Sequence, residues 1–284
     1  MKLGVVFPQT EIGPAPAAVR QYAEAVEAAG FDHIATYDHV LGASSDRPNW
    51  SGYYDLNDQF HEVMVMFGYI AAITSRIELA TEVLVLPQRQ TALVAKQAAE
   101  IDLLSGGRLR LGVGIGWNAV EYEALGMNFH DRGRRIEEQI ALLRELWSKP
   151  EVAFSGEHHQ VSKAGLNPFP RRQIPIWIGA SADVGLRRAA RIADGWQSEV
   201  SYGPEAEAKL QSLRRYLEEE GRDASTFGIS GEVGPGASGV EEAIGWEKLG
   251  ATHVSVTTMG AGLATPADHV ASLLDFKKRW DSSR

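Results

Sequence analysis

Short apolar runs alternate with longer amphipathic stretches along the whole chain. The run at 3–7 predicts a strand, and the spacing over 17–29 predicts a helix closed by Gly30. Strands follow at 33–36 and 77–86, the second stopped by Pro87. Between them lie a polar, aromatic loop from 38 to about 57 and a helix ending near Thr74. A helix over 91–104 stops at Gly106-Gly107, and a fourth strand covers 109–113. A short helix and a longer one over 132–147 come next. The alternation then pauses over 151–174, with a small hairpin expected over 152–161 around Ser155-Gly156, followed by a proline-bearing run at 167–170. It resumes with strands at 176–178, 195–199, 227–232 and 253–257, and helices at 182–192, 204–220, 240–249 and 266–280. Eight strand–helix units predict an α/β fold with parallel strands closed as a (β/α)8 TIM barrel. The insertion over about 150–174 precedes the fifth strand, and 1–284 forms one domain. A doubly wound open sheet is the competing fold, but the chain has no G-x-G-x-x-G fingerprint.

Composition narrows the partners. Twenty-eight basic against 37 acidic side chains leave a net charge of −9, which argues against nucleic acid or an anionic membrane as the main partner. A local basic patch for one anionic ligand stays open. The absence of cysteine excludes disulfides, thiolate metal sites and cysteine nucleophiles. The apolar run in residues 1–10 is too short for a signal peptide, and no stretch approaches the ~18 apolar residues of a membrane span. The chain is therefore expected to be soluble and cytoplasmic.

In such barrels chemistry sits at the C-terminal ends of the strands. The run 109–118 opens as a strand and places Gly112, Gly114 and Gly116 where the strand hands over to a helix. Asn118 stands at an N-cap position with Glu121 three residues on, a capping-box spacing. Such a strand end holds either an anionic cofactor or simply a tight turn. Asp38-His39 follows the second strand, and His39 is the acid–base candidate because an imidazole exchanges protons at working pH. Neighbours on an extended segment face opposite ways, so Asp38 need not touch His39. Gly179-Ala180-Ser181 precedes a helix, with Ser181 as expected N-cap; free N–H groups there suit a phosphate, although Asp183 competes for the same end. His158-His159 should diverge and cannot chelate a metal together, and no metal site is expected. Gly-x-Ser-x-Gly is absent, which argues against a hydrolase elbow. Arg187, Arg188 and Arg191 form either an ion-paired helix face or a basic patch beside the proposed phosphate turn.

Several of these stretches together resemble the bacterial-luciferase-like superfamily of flavin- and deazaflavin-dependent oxidoreductases. They are 28–33 with Asp38-His39, 75–79 with 83–87, 95–97, 101–108 leading into 111–118, 175–179 and 191–196. The likeness is greatest to the coenzyme F420-dependent branch. It implies one planar tricyclic cofactor at the barrel mouth, F420 or alternatively FMN, and a small organic substrate. His39 then matches the family histidine beside the ring, with a proton-transfer role. Asp38 matches a ring- or substrate-side contact, and Gly116, Trp117 and Asn118 a cofactor-binding segment. Gly179, Ala180 and Ser181 match the backbone phosphate clamp. Glu82-Val83 matches the third-strand bulge, which in relatives carries a cis non-proline peptide under the ring. Two positions depart from the pattern. Glu82 replaces a small residue, so its carboxylate should point elsewhere or be protonated. Ile115 replaces an acidic residue of the F420-dependent sugar-phosphate dehydrogenases, which weakens a sugar-phosphate substrate. The resemblance also implies a homodimer, with 60–69 as interface material. The activity it implies is hydride transfer between F420 and substrate. An FMN-dependent monooxygenase is the alternative, and a flavin-binding barrel without turnover a third reading.

Overall fold

A computed structural model describes residues 1–48, 50 and 52–284. Eight parallel strands close into a barrel. In chain order they begin with β1 (Lys2–Val6), β2 (His33–Thr36) and β3 (Glu78–Thr81). A two-residue β4 (Leu84–Val85) continues the third strand, and β5 (Leu109–Gly114) follows. The circle is completed by β8 (Ile176–Ala180), β9 (Gly195–Ser198), β10 (Gly228–Val233) and β11 (His253–Val256), which pairs back onto β1. Barrel strands are covered on both faces, which is why they read as apolar runs without strict alternation. The helices packed around them are α1 (Pro16–Ala28), α2 (Val63–Ile73), α3 (Thr91–Ser105), α4 (Ala119–Ala124), α5 (Arg132–Ser148), α6 (Asp183–Ile192), α7 (Pro204–Glu219), α8 (Gly236–Lys248) and α9 (Pro266–Ser282).

Three details differ from the sequence expectation. The strand expected over 77–86 is broken: Thr81 ends β3, the Glu82–Val83 peptide is cis, and a 3-10 turn takes over at Leu86. The insertion does form an antiparallel hairpin, β6 (Val152–Ser155) with β7 (Gln160–Ala164). It runs three residues beyond the expected end, because the turn lies at 156–159 rather than at Ser155-Gly156. The apolar stretch 60–69 mostly faces inward: Val63, Met64, Met66 and Phe67 are buried within this chain, whereas Val65 is 71% exposed. Among the described residues, no helix is long and apolar enough to cross a membrane.

The barrel interior is unusually polar. Arg110 pairs with Glu78 at 2.6 Å and stacks over Trp177, 4.3 Å from the ring centroid. His33 lies buried with Nε2 2.9 Å from Ser255 Oγ, and burial holds its pKa well below the ordinary histidine value. Gly4 makes room for that ring, since a Cβ there would come within 2.3 Å of it. This polar column ends upward at the cavity described next.

Candidate active site

Chain leaving the C-terminal ends of β2, β3, β5, β8, β9 and β10 surrounds two adjoining cavities of about 500 and 410 Å3. Tyr37, Glu82, Val83 and Glu199 line both, so the cis Glu82–Val83 bend is their common floor. Val83 is wedged across the barrel. A Cβ on Gly114 would stand 2.4 Å from one of its methyl groups, and one on Gly179 would stand 2.6 Å from the other. The two glycines therefore allow the bend to sit where it does. Gly116 has φ +62°, and a Cβ there would meet Val85 at 2.6 Å.

The outer, 500 Å3 cavity gathers Asp38, His39, Glu82, Val83, Gly116, Trp117 and Ser181. Gly179 lines the inner cavity, and Gly179, Ala180 and Ser181 line a smaller groove of about 180 Å3 under the start of α6. Asn118 lines none of these. Its residue is 3% exposed, and its side chain accepts from Val120 N at 3.1 Å, capping α4.

Asp38 and His39 turn to different partners. Asp38 is 2% exposed and receives both Arg89 Nη2 (2.6 Å) and Nε (3.2 Å), with Val85 N at 3.0 Å. Arg89 also donates to Glu62 at 2.8 Å. Burial raises the Asp38 carboxyl above its ordinary range, and the guanidinium offsets part of that rise. The carboxylate thus ties β4 to the loop after β2. His39 Nδ1 lies 3.3 Å from both oxygens of Glu121. Glu121 does not close a capping box on α4. Its buried carboxylate crosses to the loop instead, accepting from Val40 N at 2.6 Å and Leu41 N at 3.2 Å. Rings of Phe60, Tyr54 and Trp117 pack around the imidazole at centroid distances of 4.8, 5.2 and 5.3 Å. With Nδ1 engaged, Nε2 is the nitrogen left for a ligand, since it has no hydrogen-bond partner among the described residues.

Glu82 reaches down into the barrel, where Ser255 Oγ donates to it at 3.1 Å and Ser230 Oγ lies at 3.5 Å. Burial raises its pKa, while Arg110 opposes the rise. Glu232, at the end of β10, receives the Tyr37 hydroxyl at 2.6 Å. Burial and the neighbouring Glu82 push its carboxyl up to about 7. Sequence reasoning missed Glu232, and it placed Tyr37 and Glu199 at the ends of the second and sixth strands without giving either a role. Glu232 carried one usable signal: a carboxylate at the C-terminal end of a barrel strand.

The start of α6 differs from expectation. Its N-cap is Ala182 with no side-chain cap, and Ser181 Oγ donates instead to Glu199 at 3.0 Å. Gly185 N donates to Ala182 O at 2.9 Å, which leaves the N–H groups of Asp183 and Val184 without a capping acceptor, donors that suit a phosphate. Asp183 does not compete for them, because its carboxylate is taken by Tyr216 and Arg187. The nearby arginines are not a free basic patch. Arg187 pairs with Asp183 and Glu219, and Arg188 and Arg191 both pair with Glu137. Together, the apolar wall of Val83, Ile115 and Trp117 and the uncapped helix end fit a planar ring with an anionic tail.

The family model for luciferase-like monooxygenases matches residues 1–239. Pyrimidine monooxygenase RutA of Acinetobacter baylyi is 31% identical over 209 residues, covering 70% of this chain and 54% of RutA. An F420-dependent glucose-6-phosphate dehydrogenase of Nakamurella multipartita is 31% identical over 213 residues, covering 73% of this chain and 60% of the dehydrogenase. Among solved structures, an F420-dependent secondary alcohol dehydrogenase bound to an F420–acetone adduct superposes with a TM-score of 0.80. It is 16% identical and covers 97% of each chain, a likeness of fold. Relatives of this chain thus include both F420-dependent enzymes and monooxygenases.

Proposed function

This chain belongs to the luciferase-like monooxygenase family, and on that premise we propose that it is an oxidoreductase moving a hydride between coenzyme F420 and a small organic substrate. The observation that carries the reading is His39, fixed through Nδ1 by Glu121 beside the Glu82–Val83 floor, with Nε2 left free in the cavity. The reduced cofactor, when bound, supplies a hydride and gives up a proton. Val83, Ile115, Gly116 and Trp117 would hold the ring, and Gly179, Ala180 and Ser181 with the start of α6 would hold the phosphate. His39 Nε2 takes or returns the cofactor-side proton. The aromatic ring of Tyr54, Phe60 and Trp117 around it restricts water. Asp38 and Arg89 keep the loop and β4 in register, so their role is positional.

The inner cavity bears on the substrate. Glu82, Glu199, Glu232 and Glu242 line it, and none of its described lining residues is cationic. Phosphorylated or sulfonated substrates would be repelled there, which favours neutral or positively charged ones. Together with Ile115, this supports a substrate other than a sugar phosphate. The second reading, an FMN-dependent monooxygenase, is favoured by the likeness to the pyrimidine monooxygenases.

One experiment separates these readings. Protein loaded with cofactor is mixed under nitrogen with neutral or cationic alcohols and carbonyl compounds, and oxygen is admitted afterwards. The expected result is a stoichiometric change in cofactor absorbance under nitrogen, with glucose 6-phosphate inert. Substrate conversion only after oxygen enters would support the monooxygenase instead. A cofactor that binds but turns over with nothing under either gas would leave a binding barrel.

A further inference from the structure

We propose that Glu232, held by the Tyr37 hydroxyl, is a second proton-transfer group of this site, serving the heteroatom of a substrate seated in the inner cavity. The proposal rests on the hydride-transfer reading above and adds what that reading lacks. Reduction of a C=O or C=N bond delivers a hydride to carbon and a proton to oxygen or nitrogen. His39 lines the outer cavity, not the inner one, so the substrate-side proton needs its own donor.

Glu232 meets the geometric requirement. It is half-buried, lines the inner cavity, and its Oε2 receives Tyr37 Oη at 2.6 Å. That bond occupies one carboxyl oxygen, so the transferable proton belongs on the other, Oε1. In the reducing direction the hydride forms the new C–H bond and the π electrons pass to the heteroatom. The Glu232 O–H bond then breaks as its proton forms the heteroatom–H bond. The substrate gains the two electrons that the reduced cofactor loses, and Glu232 is left as a carboxylate accepting from Tyr37.

The surroundings keep a proton on Glu232 near neutral pH. The titratable groups facing it are Glu82 from the bend after β3, Tyr37 and Tyr54 from the loop after β2, Glu199 after β9, and Glu242 of α8. None is a cation. On β11 its register partner is the neutral Ser255, and Arg110 acts on Glu82 rather than on Glu232. Burial and Glu82 raise the carboxyl to about 7, where it can both give and take a proton. Tyr37 is itself raised well above the ordinary tyrosine value, by burial first and then by Glu232, so it remains a donor throughout.

The test uses Glu232→Gln and Tyr37→Phe. In cofactor-free protein, infrared difference titration should find a carboxyl group changing protonation near pH 7, absent from Glu232→Gln. Tyr37→Phe should move that transition to higher pH, because the lost hydrogen bond favoured the carboxylate. In loaded enzyme, single-turnover reduction should slow as pH rises through the same transition, and oxidation should quicken. Glu232→Gln should lose on the order of 10²–10⁴-fold and its pH limb, with unchanged cofactor affinity. Tyr37→Phe should shift the limb in step with the infrared transition, which a structural role would not do. Failure of F420 to bind overturns the function reading, and this proposal with it, before any rate is read. A loaded Glu232→Gln enzyme that keeps its rate and pH limb overturns this proposal alone, as does the lack of a carboxyl transition near neutrality.

Discussion

His39→Ala should bind cofactor as the wild type does and lose on the order of 10²–10⁴-fold in single-turnover hydride transfer. The variant is a clean one. Glu121 keeps Val40 N and Leu41 N after the imidazole is gone, so the loop stays anchored and no buried carboxylate is stranded. His39→Asn should be similarly slow, because an amide hydrogen-bonds without titrating near neutrality. Recovery of most of the rate in the asparagine variant, with weakened cofactor binding in the alanine one, would mean that His39 only shapes the pocket. A wild-type rate in either variant removes it from the chemistry.

Arg89→Ala should destabilise the fold by about 3–5 kcal/mol, the cost of leaving a buried carboxylate without its cation. Asp38 loses both guanidinium bonds and keeps only Val85 N, while Glu62 loses its cation and keeps Val65 N. Arg89→Lys should recover little, since an ammonium cannot make the two-pronged contact with Asp38. The loss should depend on pH with a definite sign. Burial already raises Asp38, and removing Arg89 raises it further, so the variant should be closest to wild type in acid, where Asp38 is protonated. The deficit should grow as pH rises through the elevated Asp38 pKa. Denaturant unfolding at pH 5 and pH 8 measures both effects. A deficit below about 1 kcal/mol at pH 8 would show that water reaches Asp38 and that the pair does not brace β4.

The barrel was legible because its strands are short, buried on both faces and separated by helices of ordinary period. The break at Glu82–Val83 was not legible from pattern, because 77–86 is uniformly strand-like. Only the family resemblance placed a bulge there. Glu121 shows the limit most clearly. Three residues after Asn118 it reads as a capping-box partner, yet its carboxylate holds His39, Val40 and Leu41, some eighty residues earlier in the chain. Ser181 failed in the same way: a serine before a helix reads as a cap, but Glu199 offers its hydroxyl a better acceptor. Arg187 looked basic in sequence because its partner Glu219 belongs to a different helix. Local spacing identifies which residues stand at the barrel mouth. Which of them engage each other depends on closure of the strands, and sequence distance says nothing about that.

Whether the barrel mouth holds F420 is decided by equilibrium titration of the purified protein with F420 and with FMN. The expected result is tighter binding of F420, weakening as salt is raised because its anionic tail meets the start of α6. Micromolar FMN binding with no detectable F420 binding would contradict it.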